Sequence, residues 1–217
     1  MRLGIMGGTF DPIHVGHLDV ARASARALGL DEVRLLPSHI PPHRQEPGTS
    51  PFHRFALVCL AARSDPQFVA SDAELLRDGP SYAADTLRDL HRQGFAAGAL
   101  FFLTGADAFA EITTWKDSPA LLDLAHFVVC SRPGHGAALV RGLLPQLTER
   151  MVDAPAFTAG TGTRVILLDA ATAPVSSSQV REALAAGQPT EGMLPDDVEG
   201  HIRKHGLYNA RQPRSTH

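Results

Sequence analysis

Short apolar runs alternate with stretches of helical periodicity along this chain, and that alternation constrains its fold more than any other property. Leu3–Met6, Glu32–Leu36, Gln67–Ala70, Ala99–Leu103, His126–Cys130 and Arg164–Leu168 read as strands. Helical spacing follows the first run at Leu18, Ala21, Ala25 and Leu28 and resumes at Phe52–Arg63 and Tyr82–Arg92, the latter with Ser81 as its expected cap. Ala108–Leu124 reads as one or two short helices, and Ala137–Met151 as a helix broken at Pro145. Ser176–Ala186 and Pro195–His205 close the series. This order predicts an α/β fold, a doubly wound, mainly parallel sheet of about six strands with right-handed crossovers. Ligands of such sheets bind outside the carboxyl ends of the strands.

Length and charge narrow the partners. The 217 residues predict one domain over 1–210 and a disordered tail at 211–217. A formal net charge of −3 gives no electrostatic case for nucleic acid or a membrane surface. No apolar run approaches the length of a membrane span, and no signal peptide precedes the first strand, so the expected compartment is the cytoplasm. Cys59 and Cys130 sit in apolar runs and read as buried reduced thiols rather than a disulfide.

Three chemically loaded stretches fall just after strands: Gly7–His17, Gly105–Asp107 and Ser176–Arg181. Gly7 and Gly8 permit close backbone approach, and the helix start beyond them offers N–H groups and partial positive charge to an anion. His14 and His17 are three apart and face the same way on a first helical turn. A metal site built on them would need a third ligand, with Asp11 the nearby candidate. Ser176 and Gln179 form a capping box, and Arg181 one turn in adds the makings of a phosphate clamp. Asp107 fits either a helix cap or a ribose hydroxyl. Trp115 lies among Thr113, Thr114, Lys116 and Asp117, a setting that favours stacking on a flat ring over a place in the core. No Ser-His-Asp or Cys-His constellation stands out.

His14-Val15-Gly16-His17 resembles the His-x-Gly-His signature of the nucleotidyltransferase superfamily, and Ser176-Ser-Ser-Gln-Val-Arg181 resembles its second signature. The longer Gly-Gly-Thr-Phe-Asp-Pro-Ile-His-x-Gly-His form is similar to that of the bacterial nicotinate-nucleotide adenylyltransferases. So are Pro37–Arg44, Gly79–Leu87, Gly105-Ala-Asp107 with Trp115, Arg132-Pro-Gly134 and the ending Leu194–Tyr208. Two departures stand out: Arg44 replaces the family's usual Lys, and Ala83 replaces a Thr whose hydroxyl could help hold the pyridine carboxylate.

The resemblance implies a Rossmann-like nucleotidyltransferase fold and AMP transfer from ATP to nicotinate mononucleotide, releasing pyrophosphate, within NAD biosynthesis. It implies catalytic roles for His14, His17 and Arg181. It places Gly7, Gly8, Thr9, Phe10, Gly16, His43, Arg44, Gly105, Asp107, Arg132, Ser177 and Ser178 on ATP. It places Tyr82, Ala83, Thr86 and Trp115 on the nicotinate nucleotide. Mg²⁺ is expected to travel with ATP rather than in a protein cage, and superfamily members often form homo-oligomers. The competing expectations are an adenylyltransferase for nicotinamide mononucleotide or another phosphorylated small molecule, a non-catalytic nucleotide-binding regulatory module, and a zinc-dependent hydrolase.

Overall fold

The computed structural model describes residues 1–42, 47–131 and 139–208; His43, Arg44, Arg132 and the expected 211–217 tail lie outside them. Among the described residues, β1 (Leu3–Gly8), β2 (Glu32–Pro37), β3 (Phe68–Ala70), β4 (Leu100–Gly105), β5 (His126–Cys130), β6 (Met151–Asp153) and β7 (Val165–Leu168) form one sheet. Their order across it is β3-β2-β1-β4-β5-β7-β6, and every neighbouring pair is parallel. The helices are α1 (Val15–Leu28), α2 (Pro51–Ala62), α3 (Ala83–Arg92), α4 (Ala106–Ala110), α5 (Leu139–Leu143), α6 (Ser177–Ala185) and α7 (Asp196–Lys204).

Alternation along the strands explains the double winding. Leu3 and Ile5 of β1, Phe102 of β4, Phe127 and Val129 of β5, and Val165 and Leu167 of β7 face one way. They pack with Leu87 and Leu90 of α3 and Phe109 of α4. Met6, Leu35, Leu103, Val128 and Ile166 face the other way, against Leu18 and Ala25 of α1, Leu57 and Ala61 of α2, Val180 of α6, and Val198 and Ile202 of α7. A sheet buried on both faces needs such continuous apolar strands. Among the described residues no helix is long and apolar enough to cross a membrane. Cys130 is buried with its sulfur 3.5 Å from the Ser24 hydroxyl, and it is not joined to Cys59.

The expected doubly wound α/β sheet is present; among the described residues it has seven strands, all parallel, one more than the runs marked in the sequence. The extra strand is β6, a three-residue edge strand registered Met151 to Val165. It takes the end of the stretch expected to be helical, Ala137–Met151, because helix α5 stops at Leu143 and Pro145 opens a 3₁₀ segment that runs to Arg150. The expected Ser81 cap is also corrected. Tyr82 is the N-cap of α3, without a side-chain cap, and the Ser81 hydroxyl instead accepts from the His39 N–H at 2.8 Å.

The order places the crevice. From β1 the chain steps outward to β2 and β3, then returns to β4 on the other side of β1. The segments leaving β1 and β4 therefore diverge, and a crevice opens at their carboxyl ends, the usual ligand position of an open α/β sheet.

Candidate active site

A cavity of about 980 Å³ occupies that crevice. Its first wall is the turn after β1, where Gly7, Gly8, Thr9, Phe10, Asp11, His14 and His17 all line it. Phe10 is buried with φ of 47°, a left-handed conformation that a non-glycine residue holds only under local constraint. Its ring lies against Gly8, where a Cβ would stand 3.1 Å from the ring edge. His14 is the N-cap of α1 and is 3% exposed. The His17 ring lies against it, tilted by 31°, at 3.7 Å between centroids, and Phe10 meets His17 edge-on at 5.0 Å.

One bond assigns the His17 tautomer. The His14 backbone N–H donates to Nδ1 of His17 at 3.2 Å, so Nε2 is the proton-bearing nitrogen of the neutral ring. Gly16 does not line the cavity. It makes room for the pair: a Cβ there would come within 3.2 Å of the His14 ring and of the Ala173 carbonyl. Gly16→Ala is expected to cost about 1–3 kcal/mol, the scale of forcing an extra methyl into a packed site, with turnover falling alongside. Chemical denaturation and initial rates check this, and unchanged values in both would show that the neighbours yield without consequence.

The second wall comes from the start of α6. Ser176 caps the helix, accepting from the Gln179 N–H at 3.2 Å, while Gln179 accepts from the Ser176 N–H at 2.8 Å. This box sets Ser177, Ser178 and Arg181 against the first turn. The Ser177 hydroxyl donates to the Pro12 carbonyl at 2.9 Å. Arg181 donates to the Asp11 carbonyl at 2.8 Å and to the Ser178 hydroxyl at 3.2 Å. All three side chains line the cavity. Two stretches some 165 residues apart thus form one polar cradle, with a cation at one side and helix starts aimed into it.

The third wall is more apolar. Tyr82, Ala83 and Ala84 of the α3 start, Phe102 of β4, Trp115 and Leu121 line it. Trp115 packs edge-on to Phe102 at 6.0 Å and keeps part of its surface open. Lys116 lies 4.8 Å from the centre of the Tyr82 ring and pairs with Asp85 at 2.8 Å. Gly105 is the N-cap of α4, so Asp107 is not the cap; it is exposed in the first turn and lines the cavity with Gly105. Thr86 does not reach the cavity. It is 2% exposed, donates to Glu74 at 2.7 Å and accepts from Arg77 at 3.3 Å. It thereby supports the α3 start from behind.

The structure also brings Glu74, Tyr208 and Arg54 to this site, and gives Asp11 partners other than a metal. Glu74 is buried beside the cavity, and burial raises its carboxyl pKa. Asp11 accepts from the Tyr208 hydroxyl at 2.8 Å and from the Gly48 N–H at 3.3 Å, fastening the C-terminal segment to the first turn. Burial and the nearby Asp11 push the Tyr208 phenol pKa upward. Arg54 is fully buried beneath the same turn. Among the described residues no three His, Cys, Asp or Glu side chains are grouped to hold a metal ion.

Residues 5–183 match the family model described as cytidylyltransferase-like. A "probable nicotinate-nucleotide adenylyltransferase" of Aeromonas salmonicida is 43% identical over 209 residues, 96% of this chain and 97% of the relative. One of the same name from Tropheryma whipplei is 40% identical over 205 residues, 94% of this chain and 98% of the relative. Among solved structures, the Plasmodium falciparum nicotinic acid mononucleotide adenylyltransferase complexed with APC superposes with a TM-score of 0.71 at 16% identity, covering 95% of this chain and 96% of that one. The same enzyme complexed with NaAD gives a TM-score of 0.67, covering 95% and 97%. At that identity the structural likeness speaks for the fold. The sequence relatives carry the assignment further: the chain belongs to the cytidylyltransferase-like family and groups there with the nicotinate-nucleotide adenylyltransferases.

Proposed function

We propose that this chain transfers AMP from ATP to nicotinate mononucleotide, giving nicotinate adenine dinucleotide and pyrophosphate. The observation that carries the reading is one cavity with two kinds of wall. The His14, His17, Ser177, Ser178 and Arg181 cradle suits a triphosphate, and the Tyr82, Ala83 and Trp115 wall suits a flat pyridine. The names of the relatives agree with it.

In the reaction a phosphate oxygen of the mononucleotide attacks the α-phosphorus of ATP. The bond from that phosphorus to the bridging oxygen breaks, and the electron pair leaves on pyrophosphate. The attacking phosphate is already ionised at neutral pH, so no protein nucleophile or general base is required. The protein supplies alignment and charge stabilisation. His17, with Nε2 as its donor, stabilises charge building on the leaving pyrophosphate. Arg181 and Ser178 hold the β- and γ-phosphates, Ser177 offers its helix-start N–H while its hydroxyl stays on the Pro12 carbonyl, and the Gly7–Phe10 turn adds backbone donors. His14 caps α1 and supports the His17 ring. Mg²⁺ would enter with ATP and offset charge on its phosphates, with Asp11, Glu74, Asp107 and Glu111 the carboxylates that line the cavity. The compartment we propose is the cytoplasm.

Ala83 leaves a methyl where the family places a hydroxyl, so discrimination between acid and amide falls to backbone N–H groups at the α3 start and to Lys116 nearby. A paired assay tests the assignment: pyrophosphate release from ATP with nicotinate or nicotinamide mononucleotide. The acid is expected to give the higher kcat/KM, and a preference for the amide would overturn the choice of substrate. Silence with both would favour a nucleotide-binding module. Trp115→Ala is expected to raise KM for the mononucleotide about tenfold, the scale of one lost ring-on-aromatic stack, with a smaller change in kcat. An unchanged KM would return Trp115 to the core.

A further inference from the structure

We propose that Arg54 is a positioning residue for adenylyl transfer, a buried guanidinium that sets the backbone of the phosphate-binding turn and stands as a fixed positive charge behind it. The inference rests on the reaction proposed above. Arg54 lies on α2, on no wall of the cavity, and is 0% exposed. Its fork is divided among three segments. It donates to the carbonyls of Thr9 at 2.7 Å, His39 at 3.2 Å and Thr49 at 3.3 Å. Thr9 belongs to the turn after β1. His39 and Thr49 flank the segment 40–48 on its two sides.

The bond to Thr9 bears on the chemistry. A trans peptide is planar, with its N–H opposite its C=O. Turning the Thr9 carbonyl onto Arg54 therefore fixes the Phe10 N–H in the direction away from Arg54. Phe10 is the residue held at a φ of 47°, so this peptide needs an external restraint to keep its plane. Planarity and five donors in a fixed fork let one guanidinium satisfy all three carbonyls, which a single ammonium cannot reach together.

Charge is the second part of the argument. All three bonds go to neutral carbonyl oxygens. Burial works against the charged form, and Asp11 favours it from further off while bonded elsewhere, to Tyr208 and Gly48. A charged group kept in so costly a place, directly behind a turn that receives polyphosphate, adds to the field on the leaving group.

The test compares wild type, Arg54→Gln and Arg54→Lys in the full chain, with folded fractions and melting temperatures measured for each. Arg54→Gln is expected to lower kcat per folded molecule about a hundredfold, the scale of a misplaced reacting group, with KM for nicotinate mononucleotide unchanged. It is also expected to weaken a non-hydrolysable ATP analogue about tenfold, the scale of one removed charge several ångströms away. Arg54→Lys keeps the charge and should restore most of the analogue's affinity while recovering only part of kcat. Variants that melt earlier yet turn over at the wild-type rate per folded molecule would make Arg54 a structural residue and overturn the proposal. Failure of Arg54→Lys to fold would overturn it as well. A wild type that binds the analogue but transfers nothing would count against the assigned reaction alone, because the affinity comparison among the three proteins still decides this inference.

Discussion

His17→Ala is expected to lower kcat about a hundredfold or more, the scale of losing one donor aimed at developing charge. The direction follows from when the donor matters. Charge on the bridging oxygen grows as the bond to the α-phosphorus breaks, so a hydrogen bond from Nε2 is stronger in the transition state than in bound ATP. KM for ATP should therefore move less than kcat. The tautomer is fixed by the His14 N–H on Nδ1, so any replacement that cannot accept there loses the orientation as well as the donor. His17→Asn carries a shorter amide donor and should recover a small part of the loss. The ring also packs between His14 and Phe10, so circular dichroism and melting must accompany the initial rates. A folded His17→Ala protein with near-normal turnover would remove His17 from the chemistry.

The layout of this fold was legible because its strands are buried on both faces and read as apolar runs bounded by turns. β4 and β5 are buried along their whole length. β6 was not legible for the opposite reason: three residues at the sheet edge, entered from Glu149 and Arg150, carry no periodicity of their own. Ser81 reads as a cap because Ser before an amphipathic helix usually is one. Here the β2 exit comes close enough to take its hydroxyl, a tertiary contact that local spacing cannot reveal. The cradle was legible where chemistry and spacing coincide, as in His14, His17 and the Ser176 box, whereas Gly16, expected on ATP, instead makes room for the histidine pair. Thr86 shows the limit of such matching: its position in a motif fits a ligand contact, while its hydroxyl is spent on Glu74. Arg54 was invisible because a charged residue next to His53, near the start of a helix, reads as solvent-facing. Only the approach of three loop carbonyls marks it as buried.

Arg181→Ala is expected to reduce kcat/KM for ATP about a thousandfold, the lower range for removing an arginine that stabilises a transferring phosphoryl group. Two roles contribute, and the variants separate them. As a staple, Arg181 joins α6 to the first turn through the Asp11 carbonyl. As a cation lining the cavity, it would meet the phosphates directly in the reaction proposed above. Ser177→Ala removes a comparable staple, the bond to the Pro12 carbonyl, without removing charge. If stapling dominated, Arg181→Ala and Ser177→Ala would have similar effects on rate and melting. Charge stabilisation predicts a different pattern: a small loss for Ser177→Ala, a large one for Arg181→Ala, and partial recovery in Arg181→Lys. The recovery should stay incomplete because an ammonium lacks the fork that spans a phosphate, the Asp11 carbonyl and Ser178 together. Equal losses in the Ala variants at both positions would leave α6 as a support for the turn and move the counter-charge for the leaving pyrophosphate elsewhere.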